Sequence, residues 1–347
     1  MEQRKIYPSL DIMKFIMAML ILTQHTSNEW AHSTGLVHAF FGLGNFAVPF
    51  FFACSGFLFF KKFNALSQDE QKDYYKKWSI RIGKMYLVWS LIYFVFVFIG
   101  WVNKGLNWEQ PIHYFHRAAV FSTYATIWFL PALWVGVSIC CLFIRFCNRK
   151  TMVATIVLLM IIGNLFGSYT NVLAQVPVIS SFNEWYLNVF ITWRNGLFNG
   201  VPFVFIGILI AEGMGMKLSM RTNLLLTLLF CSAFLAEAFM ITRFHLSSAT
   251  DMGFMMVPAI FFMMSWLTRV DVKQQQLWQH CRNLSMLIFL GQRLFLSALP
   301  GVIPGMKQWI LAMPEPCIYL YFIVVVLTFS VLIERLSNNY KFLKILW

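Results

Sequence analysis

Long apolar runs separated by short polar segments dominate the chain. Runs near 10–29, 40–60, 83–101, 122–144, 151–168, 195–212, 222–242, 252–268, 283–299 and 316–335 approach the length that carries an α-helix across a bilayer. The pattern predicts a polytopic membrane protein with about ten helical spans. No helical repeat, coiled coil or appended soluble region interrupts it, so one membrane domain over 1–347 is expected.

Alternate connections carry the positive charge. Arg4 and Lys5, the group from Lys61 to Lys84, then Arg145, Arg149 and Lys150, Lys217 and Arg221, Arg269 to Arg282, and Arg335 to Lys344 fall on one side. Only Lys104, Arg117, Arg243 and Lys307 fall on the other, so both termini are expected in the cytosol. The long connection 169–194 then lies outside, where it is a candidate lid or acceptor platform.

The first span breaks its own pattern. Leu10 to Asn28 reads LDIMKFIMAMLILTQHTSN, and a mere anchor needs none of Asp11, Lys14 and His25. The eleven-residue step from Lys14 to His25 turns through about 1100° on an α-helix, placing both on one face roughly 16 Å apart. Asp11 joins the same stripe. A structural account also fits this helix alone, with Lys14 snorkelling beside Asp11 and His25 capping the far end among headgroups.

Composition narrows the class. With 59% hydrophobic and 12% charged residues and a mean hydropathy of +0.66, the chain is too apolar for a soluble globular protein. A net charge of +13 would suit nucleic acid, but the basic residues sit in short loops, where they set topology instead. The seven cysteines lack metal-ligand spacing, so neither a disulfide framework nor a metal site is expected. The first span has no small-residue cleavage site and is expected to be retained.

Further motifs follow in order. Val48 to Phe57 reads VPFFFACSGF, with Ser55 and Gly56 at its end; Arg81 and Lys84 share a face at the entrance to the third span; Trp128-Phe129-Leu130 opens the fourth. Arg194-Asn195 precedes Pro202-Phe203 and Gly207, Glu237 sits mid-span, and Ser285 leads to Gln292-Arg293. Each has a plain reading: Pro, Ser and Gly pack helices, loop cations enforce topology, Trp128 anchors at an interface, and Arg194 snorkels. Glu237 needs a partner, for which Arg194, Arg293 and His25 are candidates.

In this order, and with the basic residue, ten intervening residues and histidine of the first helix, the segments resemble the membrane acyltransferase-3 family. Lysine stands for arginine at Lys14 and Lys84, position 127 lacks a polar residue, and Gln292 stands about where a histidine is common. The resemblance implies an all-α fold, ten transmembrane helices around a polar cavity, in the cell membrane, a bacterial inner membrane in particular. It implies transfer of an acyl group, acetyl by family habit, from cytosolic acyl-coenzyme A to a hydroxyl of a cell-envelope glycan or lipid-linked precursor.

In that scheme Arg81, Lys84 and Lys14 bind the donor phosphates. His25 is the general base, Asp11 orients Lys14, and Arg194, Asn195, Glu237, Gln292, Arg293, Ser55 and Trp128 line the acceptor side. The co-substrate is acyl-coenzyme A, no metal is required, and the partners are the acceptor and the lipid bilayer. A different class remains open on the residues alone: a secondary transporter or lipid-sugar flippase whose path is lined by the same charges.

Overall fold

The computed structural model describes residues 6–31, 42–247 and 252–347. Arg4, Lys5 and the first two residues of the second expected span lie outside the described residues. Among the described residues every regular element is helical. Helix α1, Pro8–Thr26, continues into a π-turn, Ser27–Ala31, and α2, Ala47–Phe63, follows the 3-10 turn Gly42–Phe46. Next come α3, Gln68–Asn103, and α4, Glu109–Val120. The 3-10 turn Thr126–Trp128 leads into α5, Phe129–Phe146, and then α6, Arg149–Ser168. Two short helices, α7 (Thr170–Leu173) and α8 (Pro177–Phe190), occupy the long connection.

A second π-turn, Gly196–Gly200, opens α9, Val201–Ala211. After α10, Met220–Arg243, and α11, Met256–Leu267, helix α12, Gln276–Arg293, ends in a third π-turn, Leu294–Ala298. The remainder is α13, Leu299–Val302, α14, Met306–Leu311, α15, Glu315–Asn339, and a 3-10 segment, Lys341–Leu346.

Among the described residues seven helices, counted with their adjoining turns, are long and apolar enough to cross a membrane: Gly42–Phe63, Gln68–Asn103, Thr126–Phe146, Arg149–Ser168, Met220–Arg243, Gln276–Val302 and Glu315–Asn339. The expectation of ten holds to that extent. Gly196–Ala211 and Met256–Leu267 are apolar but short; twelve residues rise only about 18 Å, against a hydrocarbon core of about 30 Å. In α1 the residues Asp11, Lys14, Gln24 and His25 dilute the apolar character.

The third span is also longer than its hydropathy suggests. The hydrophilic stretch before it joins it as one helix of 36 residues. Its start is fixed by Ser67, whose backbone N–H and hydroxyl both donate to Glu70 Oε2, at 3.0 and 2.7 Å. Arg81 and Lys84 are therefore carried on a rigid rod.

The core is aromatic, with Phe50, Phe52, Phe129 and Phe289 buried from α2, α5 and α12. Helices α2 and α9 cross through glycines. A Cβ on Gly56 would lie 2.6 Å from Val204 O, and one on Gly207 would strike the backbone of Ala53 and Phe57. The Ser-Gly motif thus serves close helix packing, with Ser55 half-buried beside it. Helix α1 lies along α12 and parallel to it, because Asp11 faces Arg282 while His25 faces Arg293.

Candidate active site

Helix α1 starts with Pro8 in its first turn, where proline's missing N–H costs nothing. Asp11 then lies between two cations: Lys14 Nζ is 3.4 Å from Oδ1, and Arg282 Nη1 is 3.8 Å from Oδ2. An apolar helix can keep Asp11 buried only because these cations offset the cost of taking a carboxylate from water.

Eleven residues on, His25 Nδ1 is 3.1 Å from Nη2 of Arg293. Glu29, one turn beyond His25, pairs with Nη1 of the same guanidinium and stands 3.9 Å from His25 Nδ1. Arg194 is near enough to act on the imidazole electrostatically. The face shared by Lys14 and His25 is therefore the face that meets α12, and it carries charge at both ends.

All three π-turns adjoin this cluster. Ser27–Ala31 carries Glu29, Gly196–Gly200 follows Arg194 and Asn195, and Leu294–Ala298 begins at the residue after Arg293. A π-turn inserts an extra residue into the helical ladder, which re-aims side chains and recurs at functional sites. Five of the buried polar atoms without partners among the described residues belong to these turns or to the helices that lead into them: Gln24 Oε1, Ser27 Oγ, Asn199 Oδ1, Gln292 Oε1 and Arg293 Nε. Each orphan costs about 1–3 kcal/mol unless water or a ligand supplies a partner.

The segment ahead of Arg194 is held tightly. Trp193 stacks on Tyr186 with ring centroids 3.6 Å apart and donates through Nε1 to Asn183 Oδ1 at 2.7 Å. Ile191 is forced to φ +68° just before it, a conformation β-branched residues avoid, at a cost of order 1–3 kcal/mol. Asn195 then caps the π-turn. Its Oδ1 accepts from Leu197 and Phe198 N–H at 2.9 and 3.2 Å, and its Nδ2 donates to Tyr186 Oη at 2.8 Å. The Arg194 guanidinium lies 5.3 Å from the ring of Trp128, which stacks in turn on Phe121. Trp128 is buried rather than set at an interface.

A family model described as an acyltransferase domain matches residues 7–335. The chain belongs to the acyltransferase-3 family. Membership supports a transferase that moves acyl groups. Two curated relatives, both named amino-acid racemase and both from Enterococcus faecalis, are also similar. One is 22% identical over 79% of this chain and 38% of its own length; the other is 25% identical over 86% and 41%. The chain thus spans about two fifths of the curated relatives it matches. No solved structure matches it.

Other residues expected at the acyltransferase site are placed elsewhere or held by the fold. Glu237 bonds not to the candidate cations but to Tyr169 Oη at 2.7 Å, Phe254 N–H at 2.8 Å and Met255 N–H at 2.9 Å. Its carboxylate pins α10 to the start of α11, a structural answer to its burial. Gln292 is fully buried, donates to Phe289 O at 3.0 Å, and keeps Oε1 unpaired among the described residues.

Arg81 and Lys84 line a separate pocket of about 260 Å³ with Lys77, Ile80, Lys344, Ile345 and Trp347. The chain after α15 closes this pocket. Trp89 Nε1 donates to Leu346 O at 3.1 Å, and Arg81 donates to Trp347 O at 3.3 Å.

Sequence reasoning missed Glu29, Arg282, Lys344 and Trp347. Two had a signal: Glu29 is four residues after His25, and Arg282 precedes Arg293 by the eleven residues that separate Lys14 from His25. Nothing local ties Lys344 and Trp347 to Arg81, because that pairing joins distant parts of the chain.

Proposed function

We propose that this acyltransferase takes an acyl group, acetyl in the simplest case, from cytosolic acyl-coenzyme A and passes it to a hydroxyl of a cell-envelope glycan or lipid-linked precursor. One observation carries the reading: three π-turns adjoin His25, Glu29, Arg194 and Arg293 at one end of α1, while a cationic pocket stands apart on α3. A transferase with a large anionic donor needs such a division between a reacting centre and a handle for remote phosphates.

The handle is Arg81 and Lys84, with Lys77 and Lys344 beside them and Ile345 and Trp347 for the apolar part of the donor. Lys14 receives the arm that extends from this handle. At the other end His25 takes the proton from the acceptor hydroxyl as its oxygen bonds to the acyl carbon. Arg194 and Arg293 stabilise the developing oxyanion. The carbon–sulfur bond then breaks and the proton passes to the leaving thiolate.

The parallel course of α1 and α12 suits this scheme. Two helices that cross in the same direction enclose an odd number of crossings, as the seven expected segments between them would. The donor end then faces the cytosol together with both termini. Incubating purified protein with radiolabelled acetyl-coenzyme A and envelope glycans or lipid-linked sugars should transfer the label, and His25→Ala should lower that turnover on the order of 100-fold or more. Label that stays on coenzyme A in the presence of envelope glycans and lipid-linked sugars defeats the reading.

A further inference from the structure

The hydrogen bond from Arg293 Nη2 to His25 Nδ1 fixes more than position, because a guanidinium has only donors to offer. Nδ1 is then the acceptor, and a neutral ring carries its hydrogen on Nε2. That tautomer has no lone pair at Nε2 with which to take a proton. The group able to hold the opposite tautomer stands beside the ring: Glu29 Oε1, 3.9 Å from Nδ1. Its carboxylate is engaged by Arg293 Nη1. Among the described residues, the charged groups facing the imidazole are Glu29 from the π-turn that continues its helix, Arg293 from α12 and Arg194 from the segment before the second π-turn.

We propose that Glu29 is a positioning residue for His25, and that its pairing with Arg293 is an interlock that keeps the imidazole in its unreactive tautomer until the bound acceptor draws Arg293 away. The inference rests on His25 being the base of the transfer proposed above. Arg293 is poised to leave, since its Nε is buried without a partner among the described residues and an acceptor oxygen would supply one.

Once Arg293 turns to the acceptor, Glu29 closes on Nδ1 and accepts a hydrogen bond from the Nδ1–H of the new tautomer. The ring stays neutral: Nδ1 takes one proton from water and Nε2 returns one to water. Nε2 then removes the hydroxyl proton as the acceptor oxygen attacks the thioester. Without acceptor there is no base, so the donor is protected from hydrolysis.

The tautomer can be read directly by nitrogen–carbon magnetic-resonance correlation on histidine-labelled full-length protein in lipid, with His25→Gln assigning the signal. Wild type should show Nε2–H. Arg293→Gln should convert the ring to Nδ1–H, and adding Glu29→Ala should reverse the conversion; Arg293→Met serves if the glutamine variant does not fold. A ring that remains Nε2–H in a folded Arg293 variant overturns the interlock.

Kinetics give a second reading. Glu29→Ala should lower transfer by about 100-fold, the scale of general-base catalysis, and should still lower it when Arg293 is already Gln, with partial recovery in Glu29→Asp. A loss that vanishes in the Arg293→Gln background overturns the role of Glu29, which would then serve only to hold the arginine. The expected tautomer change in a protein that transfers no acyl group would leave the interlock standing and remove the transfer reading instead.

Discussion

At its Lys14 end, α1 sets one carboxylate between two cations within a regular α-helix, and both oxygens of Asp11 have partners. At its His25 end it sets one carboxylate beside an arginine shared with a histidine, the backbone leaves the α-helical ladder, and buried polar atoms go unpaired. The formal charges are similar. What differs is how completely the fold answers them. A satisfied cluster stabilises one arrangement, whereas a cluster with orphaned atoms and irregular backbone is organised for something that arrives later. Charge inside a membrane span therefore marks a site less well than charge the fold leaves incompletely matched.

The largest effect should come from the His25 end. His25→Ala should leave expression and donor binding nearly intact while transfer falls on the order of 100-fold or more. Inserting one alanine between Met17 and Ala18 would turn His25 by about 100° relative to Lys14 and should be equally harmful, since one end of α1 would lose α12. Transfer at the wild-type rate by folded His25→Ala protein would erase the contrast between the ends.

At the Lys14 end the response should depend on charge alone. Lys14→Arg should keep most activity, because Asp11 retains a cation three residues away. Lys14→Ala should weaken donor binding by about 10-fold, the lower range for a lost charge-assisted hydrogen bond. Equilibrium binding of acyl-coenzyme A measures this. An alanine variant that binds normally but transfers slowly would move Lys14 from donor handle to chemistry.

Much of this architecture is legible in the sequence. The apolar runs mark the helices, and the spacing from Lys14 to His25 gives the face that meets α12. What escapes is set by tertiary contacts. Hydropathy alone does not say that the helix within 252–268 is only the twelve residues Met256–Leu267, and no local rule says that Asn195 bonds Tyr186 Oη and caps a π-turn rather than binding substrate. Glu237 illustrates the same limit. The sequence shows that a buried carboxylate needs partners, but the backbone N–H groups of Phe254 and Met255 supply them from a separate helix start.

A smaller effect is expected at the pocket on α3. Removing Arg81 and Lys84 together should weaken donor binding roughly 10-fold at low salt and less at high salt, where exposed charges are screened. Trp347→Ala should weaken it less and without salt dependence, because the ring contributes apolar contact. Titration of acyl-coenzyme A at two salt concentrations separates the two. Equal binding by the double variant and wild type would leave these cations a topological role only.

The smallest effect tests whether the irregular backbone at the His25 end is held by identifiable bonds. Asn195→Ala removes the cap on the second π-turn and the bond to Tyr186, a loss of about 1 kcal/mol for a helix cap of this kind. Asn195→Asp keeps the accepting oxygen but not the donor to Tyr186, so it should recover part of the loss. Thermal unfolding in detergent would record a drop of about 1–2 °C. Because Arg194 is attached to this turn, the same substitution should impair transfer more than donor binding. If stability falls while transfer is untouched, Arg194 does not need the π-turn, and the convergence of the three turns on His25 would be a matter of packing rather than of catalysis.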